Sequence, residues 1–189
     1  MPAFVRIAAG IEGHPDNAAA ALLGGFVVSS ATSSGVEAIR MDVPRDLRAV
    51  LFIPERRLAT DLMRKALPGT VPYDDAVANL GAVALGVAGL AAGKSDMLAR
   101  LTVDRLHEPY RAAAYPEFPK MVAAAREAGA LGACLSGAGS TILAFADSMT
   151  GISRVEAAFV AVAADNDLDG EVHVVEPRNA GAKVLPAAI

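Results

Sequence analysis

Between Pro15 and Gly24-Gly25 the chain has few conformational options. Proline fixes φ and lacks an N–H, so it suits the first turn of a helix, where that N–H has no partner anyway. Glycine adopts the left-handed conformation that ends a helix without steric cost. Asp16, Asn17 and the run Ala18 to Leu23 therefore read as a short helix stopped by Gly24-Gly25, with Phe26 to Ser30 as a strand leaving it. Directly ahead of this helix, Glu12-Gly13-His14-Pro15-Asp16-Asn17 gathers two carboxylates, an imidazole and a carboxamide. Neither a core nor an ordinary connection needs that much polar chemistry in so short a stretch.

Further elements follow from periodicity and punctuation. Glu37 to Val43 alternates, with Ile39, Met41 and Val43 on one side, and Leu47 to Ile53 is a third strand ended by Pro54. Helical segments are expected over Thr60 to Leu67, Asp74 to Ala92, Ser95 to Pro109 with Ser95 as N-cap, Phe118 to Glu127 and Gly151 to Ala164. Between and after the last two lie Ala133-Cys134-Leu135, a turn at Ser136–Gly139, and strands at Thr141–Ala146 and Glu171–Glu176. Strands first, then helices, then strands separated by a helix predict an α+β fold, with a boundary near residues 44 to 47.

Composition narrows the class. Hydrophobic residues make up 53% of the 189, mean hydropathy is +0.39, and much of the apolar content is alanine. The longest apolar run, Leu80 to Ala92, is broken by Gly81, Gly86 and Gly89 and falls short of the ~18 residues of a membrane span. A net charge of -4, with no basic cluster interleaved with aromatics, argues against a nucleic-acid partner. Cys134 is the single cysteine, which excludes a disulfide framework and fits a reducing, cytoplasmic setting. Residues 1–10 lack the pattern of a signal peptide.

Three groups of residues could carry chemistry. An ionised Asp16 in a helix's first turn could take a proton from a hydroxyl or help hold a metal, as could Glu12 through its oxygens; equally, Asp16 and Asn17 could simply cap the helix with His14 on the surface. Ser136-Gly137-Ala138-Gly139-Ser140-Thr141 could bring backbone amides close to a phosphate, or be a tight turn into a strand. Arg64 and Arg111 could grip a carboxylate or phosphate, or be solvated surface cations. His107, Glu108 and His173 read as ordinary surface or strand residues.

The order of these pieces carries a resemblance. Glu-Gly-His-Pro-Asp-Asn at 12–17, Leu22-Leu23-Gly24-Gly25-Phe26, Glu108-Pro109-Tyr110-Arg111 and Leu135-Ser136-Gly137-Ala138-Gly139 together resemble the homoserine kinases of the GHMP family of small-molecule kinases, from about Ile7 to about Glu176. The resemblance implies transfer of the ATP γ-phosphate to the hydroxyl of L-homoserine, a step of threonine biosynthesis, with Mg2+. It places Asp16 and Asn17 at the reacting hydroxyl, and His14, Asn17, Arg64 and Arg111 around the amino acid. Glu12 matches the magnesium carboxylate, and Ser136, Gly137, Ala138 and Gly139 pack beside the phosphate loop. Ser140 departs from the proline usual there. Nothing in residues 1–11 resembles the family's Gly-Leu-Gly-Ser-Ser-Ala phosphate loop, so the chain is expected to begin in the helix after it and to be impaired as a kinase. The implied layout is an incomplete N-terminal domain over residues 1–45 and a ferredoxin-like C-terminal domain over 46–189, with a homodimer possible through exposed strand edges. The alternative is a non-catalytic amino-acid-binding or interaction module.

Overall fold

The computed structural model describes residues 2–56 and 58–184, so the extreme ends of the two expected domain ranges lie outside the described residues. The chain divides into two compact units, one formed by Met1–Arg45 with Pro177–Ile189 and the other by Asp46–Glu176. The segment from Pro177 thus packs with the first unit, whereas the sequence grouped it with residues 46–176.

The first unit opens with helix α1 (Pro2–Glu12), which the element-by-element reading left unassigned, followed by α2 (Pro15–Leu23). Val5, Ala9 and Ala19 are buried where these helices pack together. Strands β1 (Phe26–Thr32) and β2 (Gly35–Met41) form an antiparallel hairpin running from Phe26↔Met41 to Thr32↔Gly35. Gly24 and Gly25 end α2 at φ 68° and 71°, conformations that L side chains adopt only with strain. Space forbids a side chain as well, because a Cβ on Gly24 would lie 2.5 Å from the Ala180 carbonyl carbon. The returning segment is held by Gly25 N donating to Arg178 O (2.7 Å) and by Asn179. The Asn179 carboxamide accepts from Val43 N (2.7 Å) and donates to Val43 O (2.9 Å), reproducing with one side chain the pairing of a strand residue.

The second unit contains β3 (Arg48–Pro54), α3 (Thr60–Lys65), α4 (Tyr73–Ala91), a 3-10 turn at Ser95–Met97, α5 (Leu98–Leu101), α6 (Glu108–Arg111), α7 (Phe118–Glu127), β4 (Gly132–Leu135), β5 (Ile142–Ala146), α8 (Met149–Asp165) and β6 (Gly170–Val175). The sheet order is β4-β5-β3-β6 with every neighbouring pair antiparallel. That is the β-α-β-β-α-β ferredoxin-like arrangement, with extra helices in the first crossover. Helices α7 and α8 pack on each other and on the sheet. The α7 residues Phe118, Met121, Val122 and Ala125 recur at helical spacing and meet Val50, Phe52, Ile142 and Ala144 from the central strands, with Val155 and Phe159 from α8.

Two local expectations change. Ser95 is not an N-cap: it lies inside the 3-10 turn, and Lys94 precedes that turn without a side-chain cap. The cap that does form is Ser148, whose Oγ accepts from Gly151 N (3.1 Å) and starts α8 two residues earlier than expected. Helix α4 also exceeds the run read from the sequence: its 19 residues at hydropathy 1.3 meet the length and composition of a membrane span. One side is nevertheless packed on protein, with Gly86, Gly89 and Leu90 buried.

The glycines of α4 make that packing testable. A Cβ on Gly86 would come within 2.7 Å of the Leu101 backbone, whereas one on Gly81 meets nothing within 4 Å. Gly86→Ala is expected to cost about 1–3 kcal/mol through overpacking, and Gly81→Ala to gain about 0.5–1 kcal/mol from helix propensity. Paired urea denaturation curves check both signs.

Candidate functional site

The turn joining β4 to β5 is Ser136 to Thr141. Ser136 N donates to Thr141 O (2.9 Å) and Gly139 N to Ser136 O (3.0 Å), with Gly137 and Gly139 at φ 59° and 88°. Facing it is α6, a single helical turn with Pro109 near its start. Its last residue, Arg111, is only 9% exposed, which removes the surface-cation reading for this residue. The guanidinium donates from Nη1 to Gly137 O (3.0 Å) and, at the limit of hydrogen bonding, from Nε to Met63 O (3.5 Å) at the centre of α3. Arg111 thereby joins the Ser136–Gly139 turn and α3 at one charged group. Arg64, the next residue of α3, is exposed.

Carboxylates organise the approach to α6. Asp104 accepts from Leu106 N (2.7 Å), His107 N (2.9 Å) and Glu108 N (3.2 Å), and pairs with His107 Nδ1 (3.1 Å). Burial raises its carboxyl, but the His107 ring and the amides of Leu106 and His107 outweigh that and hold it at about 2. Glu108 moves the opposite way, raised chiefly by burial, although its Oε1 accepts from Leu135 N (2.7 Å). Arg126 Nη2 donates to Thr102 O (3.0 Å) and Ala133 O (2.9 Å), fixing the same loop to β4. A cavity of about 240 Å³ opens here, lined by Asn79, Asp104, His107, Glu108, Arg111 and Cys134 among others. Burial, followed by the Glu108 charge, pushes the thiol of the half-buried Cys134 up to about 12.

In the first unit, Glu12, His14, Asp16 and Asn17 share one connection and are all exposed. Glu12 is the last residue of α1, not a loop residue. His14 is the N-cap of α2 by position, without a side-chain cap, and Asp16 Oδ1 accepts from Asn17 N (2.9 Å) in the first turn. Among the described residues no group of three or more His, Cys, Asp or Glu is placed to hold a metal ion. His173 pairs with Glu171 (2.9 Å) on exposed β6. Asp104, Arg126 and Asn79 went unnoticed in the sequence. The only signal was the spacing Asp104-x-x-His107-Glu108, which reads as a charged loop until the bonds are seen.

Residues 81–165 match the family described as GHMP kinases C terminal. Over those residues the chain is similar to the C-terminal domain of GHMP kinases. It is 40% identical over 182 residues to a homoserine kinase of Moorella thermoacetica, covering 96% of this chain and 61% of that protein. A homoserine kinase of Thermus thermophilus is 46% identical over 141 residues, covering 75% of this chain and 48% of that one. The crystal structure of homoserine kinase from Cytophaga hutchinsonii superposes with a TM-score of 0.83 at 31% identity, covering 91% of this chain and 54% of that chain. The chain therefore spans about half to three-fifths of the length of these relatives. The GHMP kinase match lies within the second unit and contains α6, Arg111 and the Ser136–Gly139 turn.

Asp104 makes this site's stability depend on pH. Its folded carboxyl sits at about 2 against an ordinary 3.8, so it stabilises the fold above pH ~4 and loses that contribution as pH falls toward 2. Discounted for partial exposure, Asp104→Asn is expected to cost about 1–2 kcal/mol at pH 6. Denaturation at a series of pH values should show this difference shrinking steadily below pH 4.

Proposed function

We propose that this chain is the acceptor-binding part of a homoserine kinase, which transfers the γ-phosphate of ATP to the hydroxyl of L-homoserine and yields O-phospho-L-homoserine and ADP. The supporting observation is the buried Arg111 guanidinium on the Ser-Gly-Ala-Gly turn, inside a chain whose similarity to a homoserine kinase covers 96% of its length. In this reading residues 1–45 belong with the N-terminal domain of such kinases and residues 46–176 with the C-terminal one.

Each candidate then has a role that fits its chemistry. Arg111 and Arg64 take the substrate carboxylate; a guanidinium matches its two oxygens, and Arg111 already has a fixed orientation. Asn17 hydrogen-bonds the reacting hydroxyl, and Asp16 beside it receives the proton that the hydroxyl loses. His14, exposed in the same connection, flanks the amino acid. The Ser136–Gly139 turn gives a rigid edge against which the phosphate loop of such enzymes packs. ATP follows from the kinase reaction. Magnesium is the ion that phosphoryl transfer commonly uses, and Glu12 is the carboxylate that would help to hold it.

The reading is tested by ADP release with ATP, magnesium and homoserine. The assay uses the 189-residue chain alone and the chain joined behind the N-terminal part of the Moorella thermoacetica relative. The joined protein should release ADP only when homoserine is present. Arg64→Ala and Arg111→Lys should each raise KM for homoserine about 10- to 100-fold, the range of a lost charge-assisted bond, with KM for ATP nearly unchanged. Homoserine binding without ADP release from the joined protein would instead favour a non-catalytic binding module.

A further inference from the structure

We infer that Asp104 is a positioning residue: its carboxylate fixes α6, and through α6 it sets where the Arg111 guanidinium points. The inference rests on the proposed role of Arg111 only for its functional consequence; the mechanical link stands on the hydrogen bonds alone.

Helix α6 contains four residues, Glu108–Arg111. A helix this short does not persist on its own propensity, and its first amides need acceptors from outside. His107 occupies the N-cap position but makes no side-chain cap. Asp104 accepts the Glu108 amide at the start of α6 and, just ahead of the helix, the amides of Leu106 and His107 and the His107 ring, which fixes the residue whose carbonyl begins α6. His107 O then accepts from Arg111 N (3.0 Å). The Arg111 backbone is therefore linked to the Asp104 carboxylate through one intervening residue, and its side chain continues to Gly137 O.

Asp104 itself is held independently of α6. The adjacent Arg105 donates from its backbone N to Asn79 Oδ1 (2.9 Å) and from Nη1 to Asp75 Oδ1 (3.3 Å), both on α4. On the other side, Arg126 ties Thr102 O to Ala133 O of β4. The carboxylate is thus a fixed point against which α6 is built. Asparagine at this position keeps the shape but turns one acceptor oxygen into a donor facing N–H groups. α6 then loses part of its cap, and Arg111 spends a fraction of its time away from the turn. Affinity for an anion that Arg111 binds falls by that fraction.

The experiment is hydrogen exchange read by NMR on the full chain, following the Arg111 Nε–H and the amides of Leu106, His107 and Glu108, with β3 amides as reference. In the unsubstituted chain the Arg111 Nε–H and the three amides should open together, with one free energy and one denaturant dependence. In Asp104→Asn, exchange at Arg111 Nε–H should accelerate at least tenfold, and the Val50 and Phe52 amides by the roughly 5- to 30-fold that the loss of global stability gives. A purely structural role would accelerate the β3 amides and leave the Arg111 signal unchanged. Independent opening in the unsubstituted chain overturns the inference even if the variant does not fold, as does an unchanged Arg111 signal in a folded variant. In the joined kinase, Asp104→Asn should raise KM for homoserine about tenfold and leave KM for ATP unchanged. If the Arg111 signal responds but the unsubstituted joined protein shows no homoserine-dependent turnover, the kinase reading fails and the positioning link survives.

Discussion

A guanidinium cannot be buried without partners. Its charge is costly to remove from water unless acceptors are arranged around it. Arg111 meets that requirement with the carbonyls of Gly137 and Met63, and this ties together parts of the chain that would otherwise be separate. α3 must end its visit where Met63 can present an oxygen. The β4–β5 turn must aim Gly137 O inward, which the positive φ of Gly137 permits. α6 must then place Arg111 between them, and the short connection from Thr102 to His107 is fastened at Arg105 and Arg126 to make that possible. One buried charge thus selects the conformation of a loop, a turn and two helix ends.

The fold was largely legible because its elements obey local rules. Pro15 and Gly24-Gly25 bracket α2 as their backbone preferences dictate, and Phe118, Met121, Val122 and Ala125 recur at the spacing of a buried helix face. α1 was harder. Its Phe4, Ile7 and Ile11 share one face at helical spacing, yet that face is exposed while Val5 and Ala9 are buried, so the apolar stripe does not mark the packed side. Ser95 and Ser148 are equivalent as residue types, yet only the second faces a free amide, and that difference is made by the chain on either side.

The site was less legible because its logic is non-local. An isolated arginine is usually solvated, and nothing near Arg111 in sequence announces that its partner carbonyl lies at Gly137. Asp104 looked like one charge among several, since an acceptor for three successive amides can be recognised only when the backbone has turned around it. Conversely, the Glu12–Asn17 cluster is conspicuous in sequence, and in the structure Glu12, His14, Asp16 and Asn17 are all exposed, with Asn17 N donating to Asp16 Oδ1. Polar density marked a place on the chain, whereas burial and hydrogen bonding decided which groups are fixed.

The Asn179 clamp on Val43 has a consequence for the order of events during synthesis. The second unit is continuous from Asp46 to Glu176 and can close as soon as β6 has emerged. The first unit starts earlier on the ribosome but lacks the strand-like partner of Val43 and the carbonyl that receives Gly25 N until Arg178 and Asn179 follow. Domains generally fold in the order in which they emerge; here the bonds at Gly25 and Val43 wait for a segment made after the whole of the second unit.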